Sequence, residues 1–329
     1  VVSSEHVKAL KKMLPFLVIA VIVLAAGAAW VTNPVKARRG TTEVSADPGR
    51  LERDVRSLVG LPGFRCFERP GDLDRAAGWL KKALTATRLP VVEQPFGVGD
   101  GSFRNLIARF GPDDGPVLVI GAHYDVCGEQ PGADDNASGV AAILELARLL
   151  RRHRPDVAQR IELALWALEE PPNFRTNGMG SAVHANSLAL AGAEVSGMIS
   201  LEMLGFFADE PGSQDYPAPG MGLLYPSRGN FIAVVGNSSS WWFTRRVKIR
   251  MAGASRLPVR SINAPAFVPG VDFSDHLNFW RRGWDAAMVT DTAFYRNPNY
   301  HQVTDTPETL DYDRMAEVVT GLYAAVTTL

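Results

Sequence analysis

The sequence predicts an α/β fold, because short apolar runs that read as strands alternate with helical patterns, and its chemistry-bearing stretches fall where those strands end. The apolar run Val117-Leu-Val-Ile-Gly-Ala122 reads as a buried strand, and a helix with apolar Val140, Ile143, Leu144, Ala147 and Leu150 on one face follows it. Between them lie His123-Tyr-Asp125 and Asp134-Asp135-Asn136-Ala-Ser-Gly139. Both clusters therefore sit at the carboxyl end of a strand, where open α/β sheets place their sites. In an extended segment His123 and Asp125 project to one side, which suits a metal-binding imidazole steadied by a carboxylate. The bland alternative is a solvated acidic loop beside a packed histidine.

A chain of 329 residues can bury a large core, as one domain of about 280 residues or as two smaller ones. Its 46% hydrophobic and 21% charged content is that of a folded globular protein. A net charge of -1, with Lys and Arg spread along the chain, gives no footprint for nucleic acid. The short basic run Arg245-Arg246-Val-Lys248-Ile-Arg250 reads as a solvated helix face. Two cysteines make no disulfide framework; Cys66 and Cys127 either bridge in an exported domain or leave Cys127 as a free thiol near the site.

Taking the chain in order, residues 13–31 are an uncharged run of 19, just long enough to span a bilayer. Lys8, Lys11 and Lys12 precede it and Lys36, Arg38 and Arg39 follow it, so the charge bias across it is small. An uncleaved anchor behind a short flank (1–12) is the expectation. A signal peptide cut near Ala26-Gly-Ala28 is the rival. Either puts the remainder outside the cytoplasm. Residues 32–45 read as a linker, and the pattern is globular over 46–329.

Helices are expected at Leu51 to Leu58 and Leu73 to Leu84, and strands at Phe103 to Phe110, 117–122, Ile161 to Leu168, Gly197 to Leu201, Phe231 to Val235 and Asp285 to Thr290. Pro171-Pro172 stops the third of these strands just after Glu169-Glu170. Residues 206–230 read as long surface loops. Trp241-Trp242-Phe243 reads as core packing, with a substrate wall as the alternative. Phe273-Ser-Asp275-His276 opens a helix that Ser274 or Asp275 would cap, and Tyr312 to Leu329 is the last helix.

The strand ends thus carry His123, Asp135, Glu170 and Glu202, with His301 on a late loop. Two imidazoles and three carboxylates suit Zn²⁺, or less selectively Mn²⁺ or Co²⁺. A single catalytic zinc uses three protein ligands, so five point to a two-metal site with a bridging carboxylate. Glu169, beside a ligand but spare, fits a general base.

His-Tyr-Asp, Ala-Asp-Asp-Asn-Ala-Ser-Gly, Leu-Glu-Glu, Leu-Glu-Met-Leu-Gly, Ser-Asp-His and Asn-Tyr-His-Gln…Asp-Thr, in this order over roughly residues 50–329, resemble the bacterial zinc aminopeptidases of the family that also contains glutamate carboxypeptidase and glutaminyl cyclase. The resemblance implies a mixed, mostly parallel sheet of about eight strands flanked by helices, and two zinc ions per chain. It implies His123 and Glu202 on one zinc, Glu170 and His301 on the other, and Asp135 between them across a strained Asp135-Asn136 peptide. It makes Glu169 the acid/base and Asp125 the group that orients His123. Asp275 and His276 match a motif near the family's site, as residues behind the metal ligands or facing the substrate. Glu202 departs from the Asp that many relatives carry, a longer arm for the same ligating group.

The expected function is a membrane-tethered or secreted metallo-aminopeptidase acting on peptides. The alternatives are a one-zinc glutaminyl cyclase and a non-catalytic binding module of the same fold. The second of these requires a lost ligand, and none of the expected positions is empty.

Overall fold

The computed structural model describes residues 4–35 and 43–329, with side chains from Met13 onward. The side chains of Lys8, Lys11 and Lys12, residues Lys36, Arg38 and Arg39, and the 36–42 part of the expected linker lie outside the described residues.

Eight strands, β1 (Val91–Val98), β2 (Gly101–Phe110), β3 (Val117–His123), β4 (Arg160–Trp166), β5 (Val195–Glu202), β6 (Ile232–Gly236), β7 (Val259–Asn263) and β8 (Ala286–Thr290), form one sheet in the order β1-β2-β4-β3-β5-β8-β6-β7. The central quartet β4, β3, β5 and β8 is parallel throughout, and antiparallel pairings join β1, β2 and β6 to it. The sheet is mixed, as expected, and the parallel quartet aligns the carboxyl ends that matter.

Strand alternation feeds two cores. On one face Leu118, Ile120, Leu163, Leu165, Ile199 and Leu201 pack beneath α2 (Pro48–Val59), α3 (Pro70–Ala86), α4 (Gly139–His153) and α8 (Tyr312–Val326). On the other, Val117, Val119, Ala164, Trp166 and Met198 meet α5 (Gly180–Leu190) and α7 (His276–Trp280). Being covered on both sides, the quartet is mainly apolar, with Glu162 of β4 and Ser200 of β5 as buried polar exceptions, which is why its strands are legible as apolar runs.

The apolar N-terminal run lies in a helix, α1 (Ser4–Thr32), in which Met13–Thr32 is long and apolar enough to cross a membrane; the most apolar window of this stretch is not buried by the rest of the protein. A helix end leaves its last carbonyls without intrahelical partners. Here the globular part supplies them. The Trp241 indole and the Asn263 amide donate to Trp30 O, Ser261 Oγ donates to Thr32 O, and Lys248 Nζ donates to Thr32 O at 2.7 Å and Asn33 O at 2.8 Å. These side chains come from edge strand β7 and from α6 (Trp241–Ala254).

Two expectations change in α6. Phe243 enters the core, but Trp241 serves α1 and Trp242 is 61% exposed, so the aromatic trio is not a common packing unit. The basic run is not a solvated face either. Lys248 is buried against α1, and Arg246 binds the carbonyl of Leu329. The helix at 276–280 begins after Asp275, but neither Ser274 nor Asp275 caps it through its side chain. Ser274 is turned toward Glu202 instead.

Candidate metal centre

The expected site residues arrive from separate elements. His123 ends β3, Glu202 ends β5, and Glu169 and Glu170 follow β4 by a short turn. Asp135 lies in an irregular helical turn, Ala133–Ser138, before α4, and His301 lies on the loop after β8. The Asp135-Asn136 peptide is cis. Asn136 ties this turn to β5. Its Nδ2 donates to Leu201 O, and its Oδ1 accepts from the amides of Gly139 and Met203. A Cβ on Gly139 would press into Asn136 Oδ1 and stand 2.8 Å from Leu201 O, so the glycine of the motif is a matter of space.

Asp135 stands between the two imidazoles. Its Oδ1 is 3.4 Å from His123 Nε2, and its Oδ2 is 3.1 Å from His301 Nε2. Each imidazole has a glutamate of its own: Glu202 at 3.4 Å from His123 Nε2, and Glu170 at 3.3 Å from His301 Nε2. Glu169 Oε2 is 4.0 Å from His123 Nε2, on the edge of this array. Asp135 Oδ1, Glu170 Oε1 and His301 Nε2 are buried without a hydrogen-bond partner. In a folded interior such orphaned atoms call for a ligand.

The electrostatics suit bound divalent cations. Burial pushes Glu169 well above its usual value, against the opposing charge of His123 and with the help of Glu170 and Glu202. Burial and the Asp135 charge bring Glu170 to about 7. Burial opposes protonation of His123 and His301, yet Glu202 and Glu169 hold the first well above 6.5 and Asp135 and Glu170 bring the second to about 10. Divalent cations among these oxygens and nitrogens would relieve both the burial and the repulsion.

Asp125 is placed differently from the simple expectation. The His123 Nδ1 lies 3.2 Å from the backbone oxygen of Asp125 and 3.5 Å from its carboxylate. The two carboxylate oxygens accept from the amides of Glu169 and Glu170, at 3.1 and 3.0 Å. Asp125 thus fixes the Glu-Glu turn as well as facing the imidazole. Asp275 is fully buried, within reach of the charges of His123 and Glu202, and burial raises it to about 7. His276 faces away. Its Nε2 donates to Val271 O and its ring meets the Trp280 ring edge-on, which makes it a packing residue.

The family profile of peptidase family M28 matches residues 105–326, which span the whole array. The chain belongs to peptidase family M28.

Within sequence space, this M28 chain is 45% identical over 290 residues to a protein from Escherichia coli (strain K12), the uncharacterized protein YfbL, covering 86% of this chain and 88% of that one. It is 27% identical over 297 residues to leucine aminopeptidase 1 of Trichophyton rubrum, covering 84% and 74%. The fold matches the crystal structure of LapA from Legionella pneumophila, with TM-score 0.69, 19% identity and coverage of 86% and 74%. It also matches a glutaminyl cyclase from Bacteroides thetaiotaomicron, with TM-score 0.66, 17% identity and coverage of 87% and 99%.

Several residues that hold this centre had no such role in the sequence reading, although Asp134, Ser274, Tyr300 and Asp305 stand within its motifs. Asp305 accepts from the amides of Asp134 and Asp135, at 2.9 and 3.0 Å. Arg65 donates to the carbonyls of Tyr124, Pro131 and Gly132. Asp134 accepts from Gly205 N and Asn297 Nδ2, joining three loops. Ser274 Oγ donates to Glu202 Oε2 at 2.7 Å and meets Ser200 Oγ at 2.8 Å, which steadies the long arm of Glu202. Tyr300 stacks on the His301 ring at 3.8 Å.

Proposed function

We propose that this M28 peptidase is a zinc-dependent exopeptidase, and specifically an aminopeptidase that removes N-terminal residues from peptides. The observation that carries the reading is Asp135, whose two oxygens face two imidazoles, each with its own glutamate. The donor set, mixed nitrogen and oxygen with orphaned buried atoms, fits zinc. On this reading His123 and Glu202 hold one ion, Glu170 and His301 the other, and Asp135 is shared. Zinc bound there supplies Lewis acidity, lowering the pKa of water and polarising a carbonyl.

Glu169 then acts on protons: it accepts one from the attacking water and delivers it to the leaving amine. Its buried setting, which favours the protonated form, suits both halves of that task. Asp125 keeps Glu169 and Glu170 in place through their amides. The carboxylate-rich surroundings favour a substrate ammonium over a substrate carboxylate. Arg65, the nearby guanidinium, gives its donors to backbone carbonyls.

An apolar pocket opens beside Glu202 and Tyr300, walled by Met221, Tyr225, Phe231, Val271, Phe273 and Met288. Its walls come mostly from residues 214–273 and the segment after β8, with Met288 and Thr290 of β8 itself, and they suit an apolar first residue. The chain is further proposed to act outside the cytoplasm. In this proposal residues 46–329 form the peptidase domain, and the 13–31 helix stays attached as an anchor after the short 1–12 flank. The capping of its last carbonyls by β7 and α6 supports that attachment.

The test is mass spectrometry of a peptide pool incubated with the zinc-loaded chain. The pool includes members with blocked N-termini and members beginning with glutamine. Stepwise loss of N-terminal residues from unblocked peptides is expected. Glu169→Gln should lower kcat about 10²- to 10⁴-fold with zinc content unchanged. Ammonia loss from the glutamine peptides alone would make the protein a cyclase instead.

A further inference from the structure

Cys127 is not among the residues that the motifs single out, yet it lies at the same centre. Its sulfur, a carboxylate oxygen of Glu170 and a ring nitrogen of His301 all lie within 4.8 Å of one another. A second trio, His123, Asp135 and Glu170, meets the same limit and shares only Glu170 with the first. Glu170 is 4% exposed, and both its Oε1 and His301 Nε2 lack hydrogen-bond partners. The sulfur therefore stands beside two residues that each carry an uncommitted ligand atom. Cys127 is not engaged elsewhere either, since it and the buried Cys66 are both free thiols.

Around a tetrahedral zinc with bonds of about 2.0–2.3 Å, ligand atoms stand about 3.3–3.7 Å apart. The Cys127 trio, all within 4.8 Å of one another, needs a contraction of at most about 1.5 Å to reach that spacing, within the range of a side-chain rotation.

We propose that Cys127 is a thiolate ligand of the metal ion at the Glu170–His301 position. The inference rests on the metal-centre reading above and is independent of which peptide bond is cut. Ligation converts the thiol to a thiolate and releases its proton to solvent. Cys127 then joins Glu170 and His301 on that ion, while Asp135, 3.1 Å from His301 Nε2, lies outside the set that Cys127 forms with them. The His123–Glu202 position, with Asp135, offers only nitrogen and oxygen. The two positions are then unequal, one with a soft sulfur ligand and the other without.

The experiment loads the full chain with Co²⁺ and records its absorption. The proposal expects a sulfur-to-cobalt charge-transfer band in the near ultraviolet. The band should be lost in Cys127→Ser and kept in Cys66→Ser, with the visible cobalt bands remaining in both. Zinc competition against a chromophoric chelator should show one of two ions weakened about 10- to 100-fold in Cys127→Ser. In the unaltered protein, the band should appear on adding Co²⁺ and vanish when excess Zn²⁺ displaces the cobalt, a readout that needs no variant to fold. Bound cobalt without the band, or a band that survives Cys127→Ser, overturns the proposal while leaving the metal centre standing. No cobalt bound at all overturns both.

Discussion

Asp125 does with one carboxylate what a local reading assigns to a simpler contact. Both oxygens hold backbone amides of the Glu169-Glu170 turn, and one also faces His123. Asp125→Asn leaves one acceptor oxygen and points an NH₂ group at an amide N–H. Zinc affinity or kcat is expected to fall about 10- to 100-fold, as read by chelator competition and steady-state rates. Unchanged values would reduce Asp125 to packing. His276 carries the clearest stability effect with pH. Burial lowers its pKa from 6.5 to about 4, and its Nε2 donates to Val271 O. Between those values the unfolded chain binds a proton that the folded chain excludes, so this contribution is complete above pH 6.5 and is lost as pH falls toward 4. The full loss is about 3 kcal/mol. His276→Phe keeps a ring against Trp280 but cannot be protonated. Its Tm should fall less between pH 7 and 5 than that of the unaltered chain, and parallel curves would remove His276 as the cause.

At the scale of elements, the end of α1 is fastened to an edge strand by side chains that the linear sequence presents as ordinary. Lys248 donates to two carbonyls of the helix terminus, in a setting where an unmet carbonyl costs about 1–3 kcal/mol. Lys248→Met should therefore raise amide exchange and protease cutting around residues 29–35 while leaving exchange in β3 and β5 unchanged. Equal exchange in both proteins would mean that the contact contributes nothing. The quartet β4-β3-β5-β8 was legible because each strand is mainly apolar and closed by a polar cluster. The strands β1 and β7 were not. The first is an edge strand with alternating partial exposure and internal Pro95, and the second is a five-residue edge strand containing exposed Arg260. Helix α5 was missed as well, because its small and mixed residues, Gly180 to Leu190, leave no clear apolar stripe.

For the whole molecule, the proposed anchor and the proposed centre sit on one scaffold, since β7 caps α1 through Ser261 while Ser261 also lines the cavity beside Glu202. The full chain is expected to co-sediment with phospholipid vesicles, and the mass of the exported protein should retain residues 13–31. A mature chain beginning at Ala29 would replace the anchor with a secreted enzyme.

The sequence by itself determined the α/β class and named the residues of the proposed centre: His123, Asp135, Glu169, Glu170, Glu202 and His301 stand in short motifs whose residue types suit the chemistry proposed for them. Only the tertiary structure decided how they are held. Asp305 lies about 170 positions from the amides it accepts, Ser274 acts through Glu202 from another element, and Cys127 reaches Glu170 and His301 across two loops. No local pattern encodes such contacts, because they depend on which strand ends the sheet order brings side by side.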